Sequence, residues 1–274
     1  VTRLSRCALP AAELLERLAG CAGLAAAAVE LIALEGGQRV GIDPPAPLYP
    51  ASMIKTPLAV AAAAAEAAGR ASWSERIAID AANMTPNDAP SPLVPGATAT
   101  LGELVELMLG RSDNVATNVL IDRLGREQAT ADIAALGFPG TAIRRKLSGA
   151  LPLIDDPGAT GRNVHSAADA AALFVRIAAG SVPGAARIAG SLARQYWNAK
   201  LPRGLVPGDA FAHKTGDTDE VSHDGGILTL GSGERYVLVV YTALASNDES
   251  DARFGAFMRS LRPLLAAAPG VATQ

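Results

Sequence analysis

Three short runs in this 274-residue chain carry side chains that could do chemistry together: Ser52-Met53-Ile54-Lys55, Ser112-Asp113-Asn114 and Lys214-Thr215-Gly216. The first run sets the theme. A serine hydroxyl is a poor nucleophile at neutral pH, but an amine in a dry pocket can lose its own proton and take the hydroxyl's. Ser52 and Lys55 are three residues apart, so on a helix they share a face. A turn-forming run, Asp43-Pro44-Pro45-Ala46-Pro47, precedes them, and an alanine-rich apolar run follows as far as Ala68. That pattern predicts a loop feeding a buried helix whose first turn carries Ser52. The N-terminus of such a helix offers free N–H groups and a partial positive charge where an oxyanion would form. Taken alone, Ser-x-x-Lys describes equally well a capping serine and a solvated lysine. The nearly uncharged run after Lys55 argues for burial.

The elements that must hold these runs follow from periodicity and punctuation. Residues 9–18 read as an amphipathic helix. Residues 24–34 are apolar and fit helix or strand, with Gly36-Gly37 marking a hairpin and residues 38–42 pairing back. Ile77 and Ile79 alternate as in an edge strand, and residues 85–95 form a loop rich in Pro, Asn and Asp. Thr100 stands three residues before Glu103, as in a capping box, and opens a helix that ends near Gly110. Residues 111–114 turn into a helix over 115–124, and a third runs over 126–136. A long loop spans 143–163, a length that inside a compact domain is usually functional. Helices are expected over 166–179 and 187–196. Strands are expected over 210–215, 226–230 and 236–244, with Gly231-Ser232-Gly233 as a hairpin turn. A helix over 252–265 closes the chain.

Strands at both ends and helices between predict an α+β fold. An antiparallel sheet with flanking helices would be built from residues 1–48 and 200–274. Residues 49–199 would form a central, mainly helical domain, with the active site in the groove between the two.

Composition removes several classes of function. Hydrophobic residues make up 49% of the chain and charged residues 19%, which describes a globular protein. The net charge is −3 with no basic run, so nucleic acid is not an expected partner. No apolar run is long and Leu- or Ile-rich enough to span a bilayer. Cys7 and Cys21 give neither a disulfide framework nor a zinc spacing, and are expected to be free, buried thiols. The charged start lacks an apolar run before Glu13 and Glu16. That fits either a mature chain whose leader was removed or a cytosolic protein.

Each chemical run falls in its own context: a helix start, an inter-helix turn and a strand end. Together, and in that order, they resemble the class A β-lactamase and penicillin-binding serine acyltransferase family, over nearly the whole chain. The resemblance implies a serine hydrolase without cofactor or metal. It acts on a small-molecule acyl donor (a β-lactam, peptide or ester), with β-lactam amide hydrolysis as the leading activity. A monomer is expected. Ser52 would be acylated, Lys55 would accept its proton, and Ser112 would pass a proton to the leaving nitrogen. Asn114 would bind the acyl-side amide oxygen and steady Lys55. Lys214 would supply positive potential, and Thr215 would bind a substrate carboxylate. The backbone N–H groups of Ser52 and Asp217 would form the oxyanion hole, and Gly216 would let the strand approach the acyl group.

The chain departs from that family twice. Class A β-lactamases activate the deacylating water with a glutamate on the Ω loop. No glutamate occurs here between Glu127 and Glu220. Asp155 and Asp156 are the loop's only carboxylates, each either a substitute base or part of a solvated acidic turn. Slow deacylation follows, or capture without turnover, or peptidase and esterase work instead. The second departure is Asp224, which stands where many class A enzymes carry an arginine. With Asp217, Asp219 and Glu220 nearby, an acidic rim unfavourable to anionic substrates is expected, and His223-Asp224 resembles the non-lactamase relatives. A Ser-His-Asp triad through His223 is not supported, because no Gly-x-Ser-x-Gly elbow is present. His165, His213 and His223 lack metal-ligand spacing.

Overall fold

The computed structural model describes residues 9–43 and 47–266. The chain runs α1 (Ala12–Cys21), β1 (Ala28–Ala33), β2 (Arg39–Ile42), α2 (Lys55–Ala67), β3 (Arg76–Ala78), β4 (Thr98–Thr100), α3 (Leu101–Gly110), α4 (Asn114–Leu124) and α5 (Arg126–Ala135). It continues through α6 (Ala167–Ala178), α7 (Ala185–Ala193), β5 (Ala210–Asp217), β6 (Ser222–Thr229), β7 (Arg235–Thr242) and α8 (Asp248–Ala266). The architecture is α+β.

Both chain ends supply one antiparallel sheet of order β2-β1-β7-β6-β5. Its central strand β7 explains the unbroken apolar run Tyr236-Val237-Leu238-Val239-Val240-Tyr241. Successive side chains point to opposite faces, so a strand covered on both sides has no polar face to show. Tyr236, Leu238 and Val240 pack with Leu15 of α1 and with Phe254, Phe257 and Leu261 of α8. Val237, Val239 and Tyr241 join the larger core with Phe174 of α6 and the central helices. Strand β5 is left at the sheet edge, where Lys214, Thr215 and Gly216 are antiparallel partners of Gly225, Asp224 and His223.

Helix α2 is the axis of the helical part and is buried nearly all round. Its alanines let neighbouring helices approach closely. The capping box forms as expected: Thr100 Oγ1 accepts from Glu103 N at 3.2 Å, and Glu103 Oε2 accepts from Thr100 N at 2.7 Å. Asp113 caps α4 by accepting from Ala116 N at 2.8 Å. Residues 28–33 of the ambiguous apolar segment resolve as strand, and β3 pairs with β4 in a separate two-stranded sheet.

Three expectations need correction. Strand β6 starts at Ser222, four residues before the apolar run, because His223 and Asp224 are themselves fully buried and interrupt the pattern. Helix α7 ends at Ala193; past it, Tyr196 N donates to Gly110 O at 2.8 Å and ties the chain to the end of α3 instead. Cys21 is exposed, since it ends α1 while the buried face of that helix is Leu15 and Ala19. Cys7 lies outside the described residues. Among the described residues no helix is long and apolar enough to cross a membrane.

Candidate active site

Ser52 is the second residue of a 3-10 turn, Ala51–Ile54, that runs directly into α2. Ala51 takes φ +46°, a left-handed conformation that costs a non-glycine residue energy and is held here by burial. The turn buries Ala51, Met53 and Ile54 and leaves Ser52 half-buried. Pro50, not Ser52, occupies the cap position. The strand carrying Lys214 passes this turn closely. A Cβ on Gly216 would lie 2.9 Å from Pro50 O and 3.1 Å from Met53 Cγ. Gly216 is therefore required by the approach of β5 to the turn that presents Ser52.

Lys55 is completely buried. Its Nζ donates to Ser112 O at 2.6 Å, Ser112 Oγ at 3.0 Å and Asn114 Oδ1 at 2.8 Å. An ammonium has three protons, so these contacts saturate the charged form. Burial, and then the Lys214 cation, hold Lys55 well below the usual lysine range, against the opposing pull of Asp113. The neutral amine keeps a lone pair for an incoming proton. Lys55 opens α2 directly after the turn that carries Ser52.

Ser112 takes φ +59°, which directs it between two lysines. Its Oγ accepts from Lys55 at 3.0 Å and from Lys214 Nζ at 2.9 Å. Lys214 also donates to Thr215 O at 2.9 Å. Asn114 is fixed from behind, its N donating to Asn87 Oδ1 at 2.6 Å. Its Nδ2 makes a long 3.3 Å bond to Pro86 O. Thr215 is buried in β5, and the Asp217 carboxylate is half-buried at the strand end. The structure therefore joins Lys55, Ser112, Asn114 and Lys214 in one hydrogen-bonded set, with Ser52 and Gly216 on the adjoining turn and strand.

Burial lowers the Lys214 pKa to about 7, with Asp217 pulling it up and Lys200 pushing it down. Its cation is present below that value and is lost as pH rises through it. Acylation by a carboxylate-bearing donor should accordingly fall above about pH 7, while acylation by a neutral ester should not. Parallel pH–rate profiles for the two donors check this; identical alkaline limbs would contradict it.

The long loop contains no free buried carboxylate. Asp156 accepts from Arg126 Nη2 at 2.6 Å and from Lys146 N at 2.8 Å, so both its oxygens are committed. Burial alone would raise its pKa, but the Lys146 N–H and Arg126 hold it below the usual range. Asp155 is exposed. The neck of the loop is closed by Asn163, whose Oδ1 accepts from Arg144 N and Arg145 N at 2.7 and 3.0 Å. Asp156 is thus a staple. Asp156→Asn should destabilise the protein by about 1–3 kcal/mol without lengthening the life of an acyl adduct. Chemical denaturation and adduct decay measure the two effects separately. The stability Asp156 supplies is present above its unfolded pKa of about 3.8 and is lost as pH falls through the lower folded value.

The expected acidic rim forms only in part: Asp219 is exposed, while its acidic neighbours are buried or paired. Asp224 is fully buried, bonded to His213 Nδ1 at 2.7 Å and to Leu201 N at 3.0 Å. Asp217 is paired with the buried Lys200. Glu220 pairs with Arg162 at 2.9 Å, and Arg162 also lies 4.3 Å over the Tyr49 ring. His223 and Asp224 are not partners: His223 Nε2 meets Tyr49 O at 2.8 Å, and Nδ1 accepts from Thr242 N at 3.1 Å. Burial lowers the His223 pKa to about 4, so the ring is neutral and structural. Lys200 has no signal in the sequence, because its role depends on long-range contacts that no local spacing encodes. Among the described residues no group of three or more His, Cys, Asp or Glu side chains could hold a metal ion.

Solved structures share this fold. A variant of PBP-A in an acyl-enzyme complex with penicillin G matches with a TM-score of 0.77 and 26% identity, over 95% of this chain and 98% of its own. A beta-lactamase from Sphaerobacter thermophilus matches with a TM-score of 0.80 and 25% identity, over 95% of this chain and 100% of its own. A variant of the class A beta-lactamase of the last common ancestor of Gram-negative bacteria shares the fold, with a TM-score of 0.76 and 24% identity over 94% and 97% of the two chains. A search of curated proteins finds no match. The family model described as the beta-lactamase enzyme family matches residues 11–258. That span reaches from the first helix into the last and takes in every residue of the Ser52 site, so the chain belongs to the beta-lactamase enzyme family and is a serine hydrolase.

Proposed function

We propose that Ser52 is acylated readily by β-lactams and related acyl donors and is deacylated slowly. The carrying observation is Ser112 Oγ, held by Lys55 at 3.0 Å and by Lys214 at 2.9 Å. This geometry supports a complete acylation path. The Ser52 hydroxyl proton moves to neutral Lys55 Nζ as Oγ bonds to the carbonyl carbon. The N–H groups of Ser52 and Asp217 receive the oxyanion, a contribution of about 3–4 kcal/mol per donor. As the C–N bond breaks, Ser112 gives its proton to the leaving nitrogen and is reprotonated from Lys55. Lys214 and Thr215 hold the donor's carboxylate, and Asn114 turns its amide toward the acyl side.

The long loop offers deacylation no comparable group. Asp156 is committed and Asp155 is exposed. General-base help is worth about 100- to 10,000-fold, so its absence sets the expected slowing. The acyl-enzyme of the PBP-A variant with penicillin G supports this reading by similarity. With excess chromogenic cephalosporin, a burst of one equivalent followed by a slow phase is expected. Steady colour without a burst would overturn the slow step. The same loop favours peptidase or esterase work as the second reading, because a small ester leaves a less bulky adduct. Faster turnover of a small ester than of penicillin would support it. We also assign residues 1–48 with 200–274 and residues 49–199 to two parts that flank the site, in a monomer.

A further inference from the structure

Behind the Lys214–Gly216 strand lies another lysine. Lys200 is 3% exposed, and its ammonium lies 5.5 Å from the centre of the Phe254 ring. Its Nζ donates to Asp217 Oδ1 and, at 3.0 Å, to His223 O on the neighbouring strand β6. Ser222 Oγ adds a long 3.4 Å contact to the same Asp217 oxygen. Asp217 keeps 31% of its side chain exposed while Lys200 keeps 4%. The carboxylate therefore reaches the site edge and the ammonium does not.

Asp217 directly follows Gly216 and stands two residues from Thr215, where the proposed function places the donor's carboxylate. An uncompensated charge there would repel that carboxylate. It would also leave the end of β5, an edge strand, tied to β6 only by the ladder and the long Ser222 Oγ contact. Burial alone would raise the Asp217 pKa, but Lys200, joined by the Ser246 side chain and Lys214, more than offsets this and holds it below the usual carboxylate value. Lys200 is sealed from solvent with its donors engaged, so it acts through Asp217.

We propose that Lys200 is a positioning residue that admits carboxylate-bearing acyl donors, by cancelling the charge of Asp217 and pinning the end of β5 to β6. The inference rests on Ser52 being the acylated nucleophile. Its test compares second-order acylation by penicillin G and by its neutral methyl ester, followed by intact-protein mass spectrometry. Lys200→Met should lower the ratio of penicillin G to ester rates by roughly tenfold, the scale of one unpaired charge at close range under solvent screening. Lys200→Arg should keep the ratio. Adding Asp217→Asn to Lys200→Met should restore it to within about threefold, since neutral side chains then replace both members of the pair. Asp217→Asn alone should raise the ratio, because Lys200 is then uncompensated; this variant keeps the proposal testable where Lys200→Met does not fold.

Equal losses for both donors, with no recovery in the double variant, would make Lys200 merely structural and overturn the proposal. A loss specific to penicillin G that survives in the double variant would mean that Lys200 touches the donor itself, and would also overturn it. If the wild type is labelled by both donors and no variant moves the ratio, this inference fails while the Ser52 reading stands. If the wild type is labelled by neither, both fail.

Discussion

Ser52→Ala is expected to abolish covalent labelling by penicillins and fluorophosphonates while leaving the fold intact. The loss is complete because no other side chain in the set can replace the nucleophile. Lys55 and Lys214 are buried around Ser112, and Ser112 already accepts from both. The structural cost is small. The cap position of the turn is Pro50, so the Ser52 hydroxyl does not cap it, and a substitution that breaks no such feature stays within about 0.5 kcal/mol. Intact-protein mass spectrometry with a melting curve separates the two effects. Labelling of the variant at the wild-type rate would remove Ser52 from the mechanism.

Lys55→Arg should lower acylation by about two to four orders of magnitude, the range of general-base assistance. The guanidinium stays protonated at any working pH and cannot take the Ser52 proton. Lysine can, because burial and the neighbouring Lys214 cation pull its pKa well down. The contacts made by Lys55 to Ser112 and Asn114 give the guanidinium acceptors for its charge, which leaves the missing base as the main change. Single-turnover acylation by penicillin G measures it. A wild-type rate in a folded Lys55→Arg variant would show that another group accepts the proton.

Much of the site was legible because its parts are local. Ser-x-x-Lys, Ser-Asp-Asn and Lys-Thr-Gly are contiguous or one turn apart, and each sits at an element boundary marked by its own punctuation. The sheet was legible for a similar reason: the unbroken apolar run of β7 announces a strand covered on both faces. What escaped depends on which face a side chain takes and on what arrives from far along the chain. Asp224 stands where many class A enzymes carry an arginine, which points it to the rim, but its side chain is consumed by His213 and Leu201 inside the sheet. Asp217 looked like a repulsive charge until Lys200 met it from a separate segment. Asp156 looked like a candidate base until Arg126 and Lys146 claimed both oxygens. Gly216 has a second demand on it that local spacing does not show, the close approach to Pro50 and Met53. Cysteines are more often buried than exposed, and only the phase of α1 puts Cys21 in solvent.

The most direct measurement is the mass of the intact protein over time after mixing with penicillin G. The proposed function gives acylation of Ser52 to Lys55, Ser112, Asn114 and Lys214, and the loop over residues 144–163 offers no uncommitted buried carboxylate to activate water. One equivalent of penicillin should therefore add to the protein, map to Ser52, and persist well beyond the mixing time. Asp155→Asn should leave the adduct's life unchanged. Rapid consumption of penicillin with no adduct at any time point would contradict the account, because it would require a water-activating group that this structure does not assign.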